Sequence, residues 1–125
     1  MKDVLVDTSV WVEHFRKSND TLEHLLQQDR ILMHPMVLGE IACGTPPART
    51  KTLSDLADLR HAQQPSLSEV MTFIEQNKLY GLGVGLVDMI LLACTLMSRA
   101  NLWTLDKRLF SLAERLGVAH QTKLH

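Results

Sequence analysis

Val4-Leu5-Val6-Asp7-Thr8-Ser9 is the stretch on which the reading of this chain turns. Three apolar residues, two of them β-branched and none alternating with a polar one, describe a strand covered on both faces. The run stops abruptly at a carboxylate and two hydroxyls, and Trp11, Val12 and Phe15 then follow at helical spacing. Strand, polar tip and helix, in that order, is how open α/β sheets present chemistry at the carboxyl ends of parallel strands. Taken alone, Asp7 reads as the N-cap of the following helix. Companions further along the chain shift that balance.

Working outward, Ile31-Leu32-Met33 reads as a second strand, stopped by Pro35 at the first turn of a helix carrying Val37, Leu38, Ile41 and Ala42. Leu102-Trp103-Thr104 reads as a third, ending two residues before Asp106. Between the first two strands, Asp20-x-x-Glu23 makes a capping-box pattern ahead of Leu22, Leu25 and Leu26. Gly44 and Pro46-Pro47 end the third helix, and Leu53, Leu56 and Ala57 mark a fourth. Ser66-x-x-Glu69 opens a fifth, with Leu67, Val70, Met71 and Ile74 on one face and a Glu75/Lys78 pair on another. Gly81, Gly83 and Gly85 make a flexible loop before an apolar helix over Val87 to Met97. Leu109, Leu112, Ala113 and Leu116 form a last helix, stopped by Gly117, with Val118-Ala119 as a short edge strand. The expectation is an α/β fold: a short parallel sheet with helices on both faces, the seven helices outweighing the strands.

The 125 residues, 46% of them hydrophobic, suit a single domain over 1–125 with a sizeable core. A formal net charge of −1 gives no strong positive field, so any polyanion must be met locally. Cys43 and Cys94 are far apart and lie in apolar helical patterns, which suits reduced thiols. Asp3 and Asp7 interrupt the N-terminus before a signal-peptide apolar region forms. The longest apolar run, Val84 to Met97, contains Asp88 and is shorter than the ~20 residues a membrane helix needs. The expected setting is the cytoplasm, with no membrane partner.

Four carboxylates stand in unusual places. The neighbours of a helical residue lie three and four positions away. Asp55 has Lys51, Thr52 and Asp58 around it, as a solvated acid should. Glu40 instead has Met36, Val37, Cys43 and Gly44, and Asp88 has Val84, Gly85, Leu91 and Leu92. An ionised carboxylate buried without a partner is costly, so such residues want a cation, a set of donors or a raised pKa. Asp7 and Asp106 each lie just past a strand end, so all four can converge on one edge of the sheet. Taken singly each has an ordinary explanation: Asp7 and Asp106 as N-caps, Asp88 in a first helical turn, Glu40 paired with a distant Arg. Together they make a site for one or two divalent cations with room for a phosphodiester.

Asp7-Thr8-Ser9-Val10-Trp11, Glu40 preceded by Gly39, Asp88 leading Ile90-Leu91-Leu92-Ala93, and Thr104-Leu105-Asp106 resemble the four acidic motifs of PIN-domain nucleases. In length and motif order the chain is most similar to the VapC toxins of type II toxin-antitoxin pairs. The order and spacing of the motifs carry this, over essentially the whole chain. The resemblance implies a PIN-like three-layer α/β/α fold and an endoribonuclease that binds Mg²⁺ or Mn²⁺. It makes Asp7, Glu40, Asp88 and Asp106 the catalytic metal pocket, with Ser9 and Thr104 as supporting hydroxyls. It further implies an RNA substrate, a homodimer, and a VapB-like antitoxin that reaches into the acidic pocket with an arginine. The chemistry implied is in-line attack on phosphorus by a metal-activated water.

Lys107 and Arg108, directly after Asp106, and Arg49 and Lys51, near the Pro-rich turn, are the candidate RNA contacts. Trp11 lies four residues before Phe15, which favours core packing over base stacking. The six His residues have no metal-ligand spacing; His14 and His24 read as exposed and His34 as a helix-start residue. Gly81-x-Gly83-x-Gly85 follows a helix and has the wrong spacing for a dinucleotide fingerprint. Two rival classes share strand-tip acids. A phosphate-accepting receiver module needs a mid-chain strand ending in Asp, where Asp55 and Asp58 lie in a helical pattern. An aspartyl-nucleophile Mg²⁺ phosphatase needs a second Asp two residues after the first, where Ser9 stands.

Overall fold

The structure is a computed structural model and describes residues 1–121. Its elements in chain order are β1 (Val4–Val6), α1 (Thr8–Arg16), α2 (Asp20–Gln27), β2 (Ile31–Leu32), α3 (Pro35–Ala42), α4 (Arg49–Ala57), α5 (Leu67–Gln76), α6 (Leu86–Met97), β3 (Asn101–Trp103) and α7 (Lys107–Arg115). The strands form one parallel sheet in the order β2-β1-β3. Leu5 faces Leu32 on one side and Leu102 on the other. Val4, Leu5 and Val6 are all fully buried, which a strand achieves only when both its faces are covered. That is why the opening run is apolar without alternation. All three strands run the same way, so Asp7 and the residues after Trp103 emerge at one edge.

The helices cover the sheet as packed groups. α1, α3 and α4 pack together, α5 packs on α6, and α6 and α7 both pack against β3. Trp11 is buried in the core and stacks on Phe15 at 6.1 Å, so the packing role expected of it is the one it has. Single parallel bridges extend the sheet at both edges, Met33 with His61 and Leu102 with Ala119. The second is the expected edge at Val118-Ala119. The first has no such mark, because His61 stands in a polar stretch with no apolar pair like Val118-Ala119.

Several details differ from the sequence reading. β3 starts at Asn101 and stops at Trp103, so Thr104 lies just beyond the strand. β2 is two residues long, Met33 keeping only its bridge to His61. The cap of α2 is Asn19, whose side chain accepts from the Leu22 N–H, and Asp20 is the first helical residue. Leu67 and Met71 are exposed although they share a helix with buried Val70. α5 ends at Gln76 and Lys78 takes a left-handed conformation, so no Glu75/Lys78 pair forms along the helix. His14 is half-buried and its Nδ1 accepts from the Asn19 N–H. Cys43 is exposed at the C-cap of α3, whereas Cys94 is buried and its thiol is pushed up to about 11 by that burial. Asp55 lies in α4 and Asp58 caps it, which removes the strand end a receiver module would need.

Candidate active site: an edge with four carboxylates

Each acid is held by the start of an element. Asp7 is the N-cap of α1, its Oδ1 accepting from the Thr8 N–H at 2.8 Å. Asp106 is the N-cap of α7, its Oδ1 accepting from the Leu109 N–H at 2.9 Å. Asp88 sits in the first turn of α6. Glu40 rides on α3, whose start is fixed by Pro35 and by His34, whose Nδ1 accepts from the Met36 N–H at 3.0 Å. Asp7 is buried, Asp88 half-buried, and Glu40 and Asp106 are exposed. The apolar neighbours of Glu40 therefore do not bury it, because its end of α3 opens to solvent.

Hydroxyls knit these acids together. The Oδ2 of Asp7 accepts from Ser9 Oγ at 2.8 Å and from Thr104 Oγ1 at 2.7 Å. Thr104 Oγ1 also accepts from the Asp106 N–H at 3.1 Å, and Ser9 Oγ accepts from the Leu105 N–H at 3.1 Å. Thr104 thus links the first acid to the last. Thr8 donates its hydroxyl to Glu40 Oε1 at 2.5 Å while its N–H holds Asp7. Sequence reasoning passed over Thr8, although it stands between the two residues it singled out.

The electrostatics join the fourth acid to this group. The Asp88 carboxyl is pushed up to about 6, first by burial and then by the negative charges of Asp7, Asp106 and Glu40. Among the described residues the ion pairs are Lys51 with Asp55 and Arg60 with Asp3 and Asp29. None neutralises the four acids.

The donor set is hard oxygen, which suits Mg²⁺ or Mn²⁺. Among the described residues no group of three His, Cys, Asp or Glu is arranged to hold an ion directly. Asp7 has both oxygens engaged by protein donors, whereas among the described residues nothing donates to the Asp88 carboxyl. This fits a hydrated ion taken by one or two carboxylates, with the remaining acids acting through their charge and through water.

Of the four basic candidates, Lys107 and Arg108 border the same cavity as Asp88 and Asp106. Lys51 is paired with Asp55 at 2.8 Å, and Arg49 donates to the Ala42 and Gly44 carbonyls at the end of α3.

Comparison with known proteins identifies the family and the fold. Residues 4–115 match the family described as PIN domain. The chain is 40% identical over 117 residues to Ribonuclease VapC32 of Mycobacterium tuberculosis, covering 93% of this chain and 94% of that protein. Among solved structures it resembles VapBC-1 from nontypeable Haemophilus influenzae, with a TM-score of 0.68 at 13% identity, covering 94% of this chain and 96% of that one. It also resembles VapBC2 from Rickettsia felis bound to a DNA fragment from its promoter, with a TM-score of 0.62 at 19% identity over 87% of this chain and 91% of that one. At those identities the structures speak for the fold, while the family match and the curated relative speak for descent. The chain belongs to the PIN-domain family and, within it, to the VapC group.

Proposed function

We propose that this chain is the ribonuclease toxin of a toxin-antitoxin pair, a divalent-metal-dependent endoribonuclease whose metal pocket is Asp7, Glu40, Asp88 and Asp106. The observation that carries the reading is the half-buried Asp88 carboxyl, raised to about 6 by burial and then by the other three acids, with no cation paired to any of the four among the described residues. A fold tolerates such repulsion where a ligand relieves it. Family membership and a 40% identical relative named as a ribonuclease supply the substrate class.

In this reading Thr8, Ser9 and Thr104 fix the direction of Asp7 and Glu40 before any ligand arrives. A bound divalent ion supplies acidification of water and neutralisation of charge on the leaving oxygen. Asp88, to which no protein group donates among the described residues, is the acid whose oxygens are open to such an ion. Incubating the purified chain with a single-stranded RNA carrying a fluorophore and quencher tests the proposal. Cleavage is expected in Mg²⁺ or Mn²⁺, none in chelator, and at least about 100-fold less for Asp7→Asn at an unchanged melting temperature. Undiminished cleavage in chelator, or by Asp7→Asn, overturns it.

The partner we propose is a VapB-like antitoxin. A cavity of about 350 Å³ between α1 and α3 is walled by Val12, Phe15, Ile41, Pro46 and Pro47, with Arg16 and Glu40 also in its lining. An apolar segment seated there brings an arginine within reach of the acids, and a guanidinium matches a carboxylate bidentately. Trp11 is excluded from that groove by its burial. For the proposed homodimer, exposed Met36 and Leu67 border one groove with Pro35, Pro65 and Ile90, and light scattering of the chain alone and after Leu67→Asp is the test.

A further inference from the structure

The geometry points to a built phosphate subsite beside the acids, formed by Lys107 and Arg108, with Gly83 setting where the arginine sits. It rests on the ribonuclease reading and names how the RNA strand is gripped. A cavity of about 330 Å³ is lined by Gly83, Val84, Asp88, Asp106, Lys107 and Arg108. Two carboxylates and two cations thus share one cavity. Such groups ordinarily pair, yet among the described residues neither Lys107 nor Arg108 makes an ion pair within 4.0 Å. The contrast with Lys51 and Arg49, each committed to a neighbour, is direct.

What holds Arg108 off the acids is the loop before α6. Its Nη1 donates to the Gly83 carbonyl at 3.2 Å. Gly83 has φ +74, and a Cβ built there would lie 2.6 Å from Nη1 and 3.4 Å from Cζ of Arg108. The guanidinium therefore rests against the face of Gly83 that a side chain would occupy. The backbone conformation favours glycine, and any side chain there would push the guanidinium off this face. One bond to a carbonyl leaves most of the five N–H donors of the fork free. A planar fork of that kind matches a phosphate with two parallel bonds. The loop leads into α6, which carries Asp88, and Arg108 lies two residues after the Asp106 cap. The clasp thus ties the starts of α6 and α7 and sets the spacing between the phosphate grip and the acids. With a net charge of −1 and an acidic pocket, a strand entering this edge meets repulsion unless a cation stands beside it.

The test measures steady-state cleavage and anisotropy binding of one single-stranded RNA by the wild type, Arg108→Ala, Arg108→Lys, Gly83→Ala and the Gly83→Ala/Arg108→Ala double variant. Binding is read in chelator across a salt series. Melting temperatures establish that each variant is folded. Arg108→Ala should raise KM about 10-fold with kcat little changed, the signature of lost uniform binding. It should also reduce the steepness of log affinity against log salt by about 0.7, the value for one phosphate contact on a single strand. Arg108→Lys should recover part of both. Gly83→Ala displaces a flexible side-chain end, so it should act in the same direction, and add nothing in the Arg108→Ala background. A folded Arg108→Ala with wild-type KM and salt slope overturns the inference, as does a Gly83→Ala effect that adds in full to the double variant. A wild type that neither binds nor cleaves RNA removes the ribonuclease reading and this inference with it, an outcome distinct from an active wild type indifferent to Arg108.

Discussion

Replacing Asp88 by Asn in the metal-free protein reads the combined cost of half-burying that carboxyl and crowding it against three other acids. A carboxyl raised from 3.8 to about 6 represents about 3 kcal/mol, at about 1.4 kcal/mol per unit. Asp88 is only half-buried, and solvent screening reduces that to about 1–2 kcal/mol. Its proton is held more tightly in the folded chain than in the unfolded one. Between about pH 4 and pH 6 the folded state therefore binds more protons, and stability falls as pH rises through that window. The amide of Asn keeps the shape and carries no charge, so its stability lacks this component. In chelator at about pH 7.5, Asp88→Asn should be more stable than wild type by about 1–2 kcal/mol, and the gap should narrow by nearly half on going down to about pH 5. Urea unfolding followed by tryptophan fluorescence reads this directly, since Trp11 and Trp103 are both buried. Saturating Mg²⁺ or Mn²⁺ should then stabilise the wild type and leave the variant nearly unmoved, because a ligand stabilises only the state that binds it. A variant less stable than wild type at neutral pH, or a gap that does not change with pH, would refute the reasoning.

Other perturbations probe the supports. Thr104→Val removes the donor to Asp7 and the acceptor for the Asp106 N–H, and should lower RNA cleavage by about 10–100-fold with the fold intact, read from initial rates and circular dichroism. Burial, and then the nearby His61, hold His34 below its ordinary value of 6.5, so the unfolded chain takes up the extra proton and stability present above about pH 6.5 is lost as pH falls. His34→Asn keeps a capping side chain and should flatten that slope in urea midpoints taken across about pH 5 to 8. In a complex with the proposed VapB-like antitoxin, changing each arginine of that partner to Ala in turn should release cleavage at one position. Retention of full inhibition by every variant sinks the inserted-arginine mechanism.

The parts of this molecule that sequence exposes are those where one physical demand leaves a local mark. A doubly covered strand must be apolar throughout, so Val4–Val6 was legible, as was the polar tip that follows it. A helical stripe records periodicity but not which neighbour covers it, so Leu67 and Met71 read as core and lie exposed. Contacts made across the chain leave no local mark at all: Thr8 to Glu40 spans 32 residues, and Arg108 to Gly83 spans 25. The four acids fall between these cases. Sequence offered two explanations for Asp7 and Asp106, helix cap or site residue, as though one had to be chosen. The geometry shows the caps, and in the proposed site the two roles are compatible. A capping bond from the Leu109 N–H immobilises one oxygen of Asp106 and aims the other, and the Thr8 N–H does the same service for Asp7. Capping is what makes a carboxylate rigid at the end of a parallel strand, and a rigid carboxylate is what a metal or phosphate site requires, since little reorganisation is then left to do on binding. In the proposed function the ordinary role is the means by which the chemical one is pre-organised, so no inspection of either residue singly could separate them. What points beyond capping is the surroundings of Asp88, whose carboxyl is raised first by burial and then by the charges of the other three acids.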